Sequence, residues 1–367
     1  MSKSMLETCE QLLSIGDLRA ANKHLQVLME QHSDASEVWA LQTKVAMEQK
    51  MYEQSFEALE RFAQIAVSEV EHCLLRAWYA RKRGMLQEAH DWENRAMDHV
   101  QGPEDQRRIL LSEAETFFAE ASTEIQRLVD GWADQEEISE RMDVPDEVVD
   151  VFRDGLEALD EILEGAPVDL EALSLQADFY SMMNQLERAV QVRAVILEHD
   201  SERARDVHAQ ADDLRRLEQF EQASYWYAHL YGLELTAIAQ AETEYGLCFD
   251  PAFFQERCVA VWQELLDDLE DEGLEGDLAL HFVFFPVSER LEDQDLDEPF
   301  DPWSAFFLDF EEEDEEPQRS EIPVILYQRN VERIWRRMGE IELDDLLREI
   351  LEEVSAPPLF VFEGELD

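Results

Sequence analysis

Along the N-terminal part of the chain, short helical patterns of apolar residues recur at a fixed interval. The segments GDLRAANKHL, KMYEQSFEAL, GMLQEAHDWE, NQLERAVQVR and EQFEQASYWY each open on a breaker or polar residue. An apolar or aromatic residue follows, and a small residue stands three places after it. The small residues are Ala21, Ser55, Ala89, Ala189 and Ala223. The first three lie 34 apart, and so do the last two. A small side chain at that place lets two helices of a hairpin approach closely. Apolar residues at helical spacing, among them Trp39, Val45, Ala46, Phe56, Leu59 and Phe62, form a stripe that one hairpin alone cannot bury. Stacking of neighbours buries it. The step from Ala89 to Ala189 is 100 residues, close to three periods. Gly155 stands one period before Ala189, with Pro167 beyond it, and a degenerate unit near Ala119 to Gly131 fills the remainder. The reading is an array of about seven helical hairpins over residues 1–235.

The helical period breaks after Leu233, and residues 240–367 read as a separate acidic α+β domain. An amphipathic helix is expected from Ala252 to about Leu269, buried along Phe253, Val259, Trp262, Leu265 and Leu266. LALHFVFFPV reads as a strand bounded by glycine and proline, WSAFFLDF as a second and IPVILYQ as a third. Helices are expected over Asn330–Met338 and Leu343–Val354, and a last strand or tail over Leu359–Phe362. The fold class is therefore mainly α, a solenoid followed by a small α+β domain.

A 34-residue helix–turn–helix period resembles the tetratricopeptide repeat. The resemblance extends from about Ser2 to Glu234. The family's usual tryptophan survives here only as Trp39, and its usual glycine is absent at most repeats. The resemblance implies that the first helix of each hairpin lines a concave groove holding an extended peptide or a partner helix. Carried over by register, the groove positions are Lys44, Trp78, Arg81, Lys82, His208, Arg215 and Arg216. Cations in such a groove would clamp an acidic side chain or a terminal carboxylate. The alternative is that they pair with neighbouring carboxylates such as Glu48, Asp212 and Asp213.

The C-terminal stretch, through ILYQRNVER at Ile325–Arg333, is similar to the small bacterial zincin-like metallopeptidase family. There the segment leads through an acidic helix into a His-Glu-x-x-His helix. Laid on that pattern, Glu352 takes the place of the first histidine, Glu353 that of the catalytic glutamate and Ala356 that of the second histidine. Zinc needs two imidazoles one helical turn apart on one face, and no histidine follows His281. Glu353 without a metal cannot activate water. The expectation is a pseudoenzyme domain with no metal and no cofactor.

Composition then narrows the function. The chain has 367 residues, 87 acidic against 30 basic, and a net charge of −57. A field of that sign argues against binding nucleic acid. The acids are spread along the chain, which favours adaptation to a salt-rich cytoplasm, where counterions screen their repulsion, over compositional drift on a solvated face or mimicry of a nucleic-acid backbone. The segment Met1 to Ile15 carries no leader pattern and acids interrupt every apolar run, so a cytoplasmic protein without membrane association is expected. Cys9, Cys73, Cys248 and Cys258 form no Cys-x-x-Cys pair and read as free core thiols. No phosphate loop, nucleophile elbow or dinucleotide fingerprint is present. The leading expectation is a non-catalytic protein–protein interaction adaptor or scaffold, its oligomeric state open. The alternatives are a metallopeptidase-related hydrolase whose ligands are not recognised and an acidic nucleic-acid mimic for a basic partner.

Overall fold

The computed structural model describes residues 3–14, 16–132, 146–245, 249–271, 281–285, 306–308, 323–338 and 341–355. Among them, twelve helices precede residue 246. They are α1 (Lys3–Ser14), α2 (Leu18–His32), α3 (Ser36–Glu48), α4 (Tyr52–Ile65), α5 (Glu69–Lys82), α6 (Leu86–Met97), α7 (Pro103–Trp132), α8 (Asp146–Gly165), α9 (Leu170–Met182), α10 (Leu186–His199), α11 (Ala204–Arg216) and α12 (Phe220–Tyr245). Consecutive helices pair as hairpins.

Five of the six hairpin turns repeat one backbone solution. Gly16, Lys50 and Gly84, then Asn184 and Glu218, take positive φ between 56° and 76°. These turn residues recur at the same 34-residue interval. The N–H of the next residue bonds the carbonyl five places back: Asp17 to Leu12 (2.9 Å), Met51 to Ala46 (2.8 Å), Met85 to Ala80 (2.9 Å), Gln185 to Tyr180 (2.8 Å) and Gln219 to Leu214 (2.9 Å). That is the Schellman closure of a helix. It sets the start of the second helix and so the place of its small residue. Ala21, Ser55, Ala89, Ala189 and Ala223 are all fully buried. Local capping agrees with the pattern. Ser68 accepts from the N–H of Glu71 at 3.3 Å ahead of α5, whose last turn carries Arg81 and Lys82.

Among the described residues six hairpins are present, against an expectation of about seven. Residues 119–131, expected to form a degenerate unit, continue α7, a helix of 30 residues. No glycine or proline stands between Pro103 and Gly131 to stop it. α12 likewise runs on to Tyr245, past the expected break at Leu233. Of the expected stripe, Val45, Ala46, Leu59 and Phe62 are buried, whereas Phe56 is 45% exposed. Trp39 is half-buried and donates its indole N–H to the carbonyl of Ser33 at 2.8 Å.

The chain divides into two compact units. The first is built on Met1–Gln11 and His24–Glu234, the second on Leu12–Lys23 and the described residues from Leu235 onward. The second unit contains α13 (Pro251–Asp271), β1 (His281–Phe285), β2 (Phe306–Leu308), β3 (Pro323–Tyr327), α14 (Gln328–Arg337) and α15 (Leu343–Ser355). Its sheet has the order β1-β3-β2, with β1 parallel and β2 antiparallel to β3. Its core joins Phe254, Cys258, Val261, Trp262 and Leu265 of α13 to Leu326, Val331, Leu346, Leu347 and Leu351. Trp262 and Leu265 of α13 are buried as expected, but nearer its N-terminus the buried face is turned from the expected one. Phe253 and Val259 are exposed by 46% and 42%, and Phe254 and Cys258 take the interior. The side chain of Leu266 and the segment Leu359–Phe362 lie outside the described residues.

Sequence reading did not expect Leu12–Lys23 in this unit. The reason is a buried ion pair, Arg336 to Asp17 at 3.1 Å. Beside it the Arg19 guanidinium lies 3.8 Å over the Trp335 ring and bonds the Trp335 carbonyl at 3.0 Å.

Gly155 marks a close helix approach in the first unit. A Cβ there would stand 3.2 Å from the Phe117 Cβ and closer still to the ring of Phe179. Phe179 is itself fixed by edge-on contacts with Phe118 and Phe152. Gly155→Val is therefore expected to lower the unfolding free energy by about 1–3 kcal/mol through overpacking. Gly165→Ala, with nothing within 4 Å, is expected to be neutral or slightly stabilising. Urea unfolding of the two variants checks the contrast.

Candidate functional site

The first helices of the hairpins line a groove in the first unit. Its volume is about 620 Å³, and its walls come mainly from α3, α5 and α7. Positions recur on neighbouring helices at the repeat interval: Ala40 with Leu74 and Arg108, Leu41 with Leu75, and Lys44 with Trp78 and Ser112. Ala40, Leu74, Trp78 and Leu111 give it an apolar, half-buried floor. Six glutamates and four cations complete the lining.

Of the positions expected from the sequence, Lys44, Trp78 and Arg81 line this groove. Lys44 is half-buried and makes no ion pair among the described residues. Lys82 is exposed, off the lining, and bonds Glu48 at 2.7 Å. His208, Arg215 and Arg216 lie on α11, away from the groove. His208 faces Asp212 at 3.6 Å and the Tyr227 ring. Arg216 donates to Ser181 Oγ at 2.9 Å and to Asn184 at 3.2 Å. Arg215 is exposed and has no ion pair among the described residues.

Arg81 is a wall component. Its side chain is 10% exposed. It donates to Thr116 Oγ1 at 3.0 Å and to the Ser112 carbonyl at 3.3 Å, and it pairs with Glu93 at 3.3 Å and with Glu115. Glu93 on α6 is fully buried, and the hydroxyls of Ser112 and Thr116 each donate to it at 2.7 Å. A buried carboxylate is tolerable only with such a set of partners. One cluster thus joins α5, α6 and α7 behind the groove. Arg107 does the same between α7 and α9. It grips Asp169, the N-cap that accepts from the N–H groups of Glu171 (3.2 Å) and Ala172 (3.1 Å). The guanidinium holds the Asp169 carboxyl below its usual range. Arg107 also bonds Glu171 at 2.6 Å and Glu104 at 3.4 Å, and Arg108 faces Glu71 at 3.7 Å.

The sequence reading missed the whole contribution of α7: Glu104, Arg107, Arg108, Leu111, Ser112 and Glu115. The signal was present, since adding one period to Leu74 and Trp78 reaches Arg108 and Ser112. The break in spacing after Ala89 hid it.

Among the degenerate metal-motif positions, Glu352 is exposed on α15, Glu353 lies within that helix and Ala356 is outside the described residues. No group of three or more His, Cys, Asp or Glu among the described residues is placed to hold a metal ion. Cys9, Cys73 and Cys258 are buried, and Cys248 lies outside the described residues. Burial pushes Cys9 and Cys258 up to about 12, which removes them as nucleophiles. No described helix is long and apolar enough to cross a membrane.

No family model matches the chain, and no curated protein matches it. Among solved structures it is similar to PilW, a type IV pilus biogenesis factor, at 14% identity and a TM-score of 0.38, covering 63% of this chain and 92% of that one. It is similar to MamA of Desulfovibrio magneticus RS-1 at 12% identity and a TM-score of 0.33, covering 55% and 96%. The TPR2AB domain of yeast Sti1 follows at 13% identity and a TM-score of 0.26, covering 66% and 95%. These likenesses locate no site in this chain.

The buried cluster gives a pH dependence. His90 Nδ1 lies 3.3 Å from Glu93 and its Nε2 3.6 Å from Glu120. Hydrogen bonding to Glu93 raises His90 above its ordinary 6.5, against the opposing effect of burial. A histidine raised in the folded state contributes stability that is complete below pH 6.5 and is lost as pH rises through its folded value. The neighbouring Glu113 is also raised, by burial and then by Glu93, and its effect falls at more acid pH. The urea midpoint is therefore expected to fall as pH rises above 6.5. His90→Gln is expected to flatten that fall.

Proposed function

We propose that the chain is a protein–protein interaction adaptor whose first unit holds a segment of a partner in the groove of α3, α5 and α7. The observation that carries this reading is the groove itself, an apolar floor of Ala40, Leu74, Trp78 and Leu111 left open between polar walls. Surface of that kind is retained where a partner covers it. Its walls are held by buried ion pairs that use the protein's own carboxylates, so the shape exists before a partner arrives and less ordering is needed on binding. The groove positions assigned to Lys44 and Trp78 fit contact with a partner. Arg81 and Lys82 serve the scaffold, and His208, Arg215 and Arg216 would belong to a separate surface on α11.

Ala40→Arg places a bulky side chain on the groove wall without touching the buried clusters. Affinity capture from the source organism is expected to recover a dominant partner with the wild-type chain and to lose it with Ala40→Arg, circular dichroism showing both folded. Equal recovery by both would place binding elsewhere. Arg81→Glu is unsuitable for this purpose, since it breaks the Glu93 cluster and is expected to unfold part of the array.

For the second unit the reading is a non-hydrolytic module related to zincin-like metallopeptidases. What motivates it is the likeness of ILYQRNVER at Ile325–Arg333 to that family's segment, with Glu352 where the family carries its first histidine and Glu353 at the catalytic glutamate. Elemental analysis of purified chain is expected to find no stoichiometric zinc, and one tightly held zinc per chain would overturn this part.

A further inference from the structure

A groove that looks cationic in the sequence is anionic once its ion pairs are formed. Three of its four positive side chains are committed. Arg81 is shared by two carboxylates, Glu93 and Glu115. Arg107 is shared by three, Asp169, Glu171 and Glu104. Arg108 faces Glu71. Each of the first two clusters stays negative after pairing. Glu10 and Glu37 are exposed on the lining and make no ion pair among the described residues. Against this, Lys44 is the one lining cation without an ion pair among them. An acidic segment entering the groove would meet one available ammonium and a surplus of carboxylates.

On the reading of the groove as the partner site, we infer that its occupant is a cationic amphipathic segment of another protein, lysine or arginine flanking apolar side chains. Apolar residues of the segment lie on Leu74, Trp78 and Leu111, and its cations meet Glu37 and Glu10 at one end and the Arg107 cluster at the other. The Trp78 ring already has the Lys82 ammonium 5.8 Å from its centre, so its part in the groove is apolar contact. A net charge of −57 steers such a segment toward the chain from a distance and repels its acidic counterpart. General attraction by a negative protein is non-specific. The specific content of the inference is that the groove is where attraction and apolar burial coincide.

The test uses two synthetic peptides of one amphipathic pattern, leucine with arginine and leucine with glutamate, titrated into the full chain at about 0.15 M salt. Fluorescence anisotropy is expected to show saturable one-to-one binding of the arginine peptide and none of the glutamate peptide. Ala40→Arg and Glu37→Lys are each expected to weaken it about tenfold or more. Glu57→Lys, the same charge change on the exposed face of α4 and off the lining, is expected to leave it within about twofold. An equal loss with Glu57→Lys means attraction to the chain at large and overturns the inference. Preference for the glutamate peptide, lost in Ala40→Arg, overturns the inference while leaving the groove as the partner site. Binding of either peptide that is indifferent to Ala40→Arg overturns both.

Discussion

The close approach of paired helices at a fixed place is the constraint from which the first unit follows. A left-handed turn residue fixes where the second helix begins, and a small residue one turn on lets that helix touch the first. The turn recurs whether its residue is Gly16, Lys50, Gly84, Asn184 or Glu218. A non-glycine residue at positive φ costs about 1–2 kcal/mol, so local preference does not maintain the geometry. What maintains it is the apolar stripe that each hairpin shares with its neighbours. Gly155 shows the same rule under stress. It lies where Phe179 and Phe117 leave no room for a side chain, one repeat interval before Ala189 but out of register with Ala89.

Stacking at a constant interval brings equivalent positions of α3, α5 and α7 into one concave surface, and it determines what happens to their charges. In so acidic a chain a guanidinium between helices finds carboxylates on both sides. Arg81 and Arg107 are drawn into the walls, where they fix helices, and Arg193 is fully buried between Asp178 and Asp213 in the same way. Arginine suits this task, because its planar fork serves several oxygens at once. The consequence is that arginines conspicuous in the sequence hold the groove's shape, while its accessible charge is carboxylate apart from Lys44.

The helical hairpins, the buried small residues and the order of elements in the second unit were legible from period and composition. Three features were not. The length of α7 was missed because a stretch without breakers reads equally well as one helix or two. The buried face of α13 was turned because Phe253 and Phe254 are adjacent and apolar, and only packing against Leu347 and Leu351 selects between them. The place of Leu12–Lys23 in the second unit depends on Asp17 meeting Arg336, 319 residues away, and no periodicity reports a contact of that range. Of the groove lining, the sequence reading named Lys44, Trp78 and Arg81; the α7 positions one interval further, Arg108 and Ser112, were hidden by the break in the small-residue spacing after Ala89. The difference between an available cation and a committed one appears only when partners are placed around it.

The most direct measurement is amide hydrogen exchange of the full chain, alone and in complex with a partner segment. The account predicts that added protection concentrates on α3, α5 and α7, with α4, α6 and α15 unchanged. Protection confined to the second unit, or to the second helices of the hairpins, would contradict it.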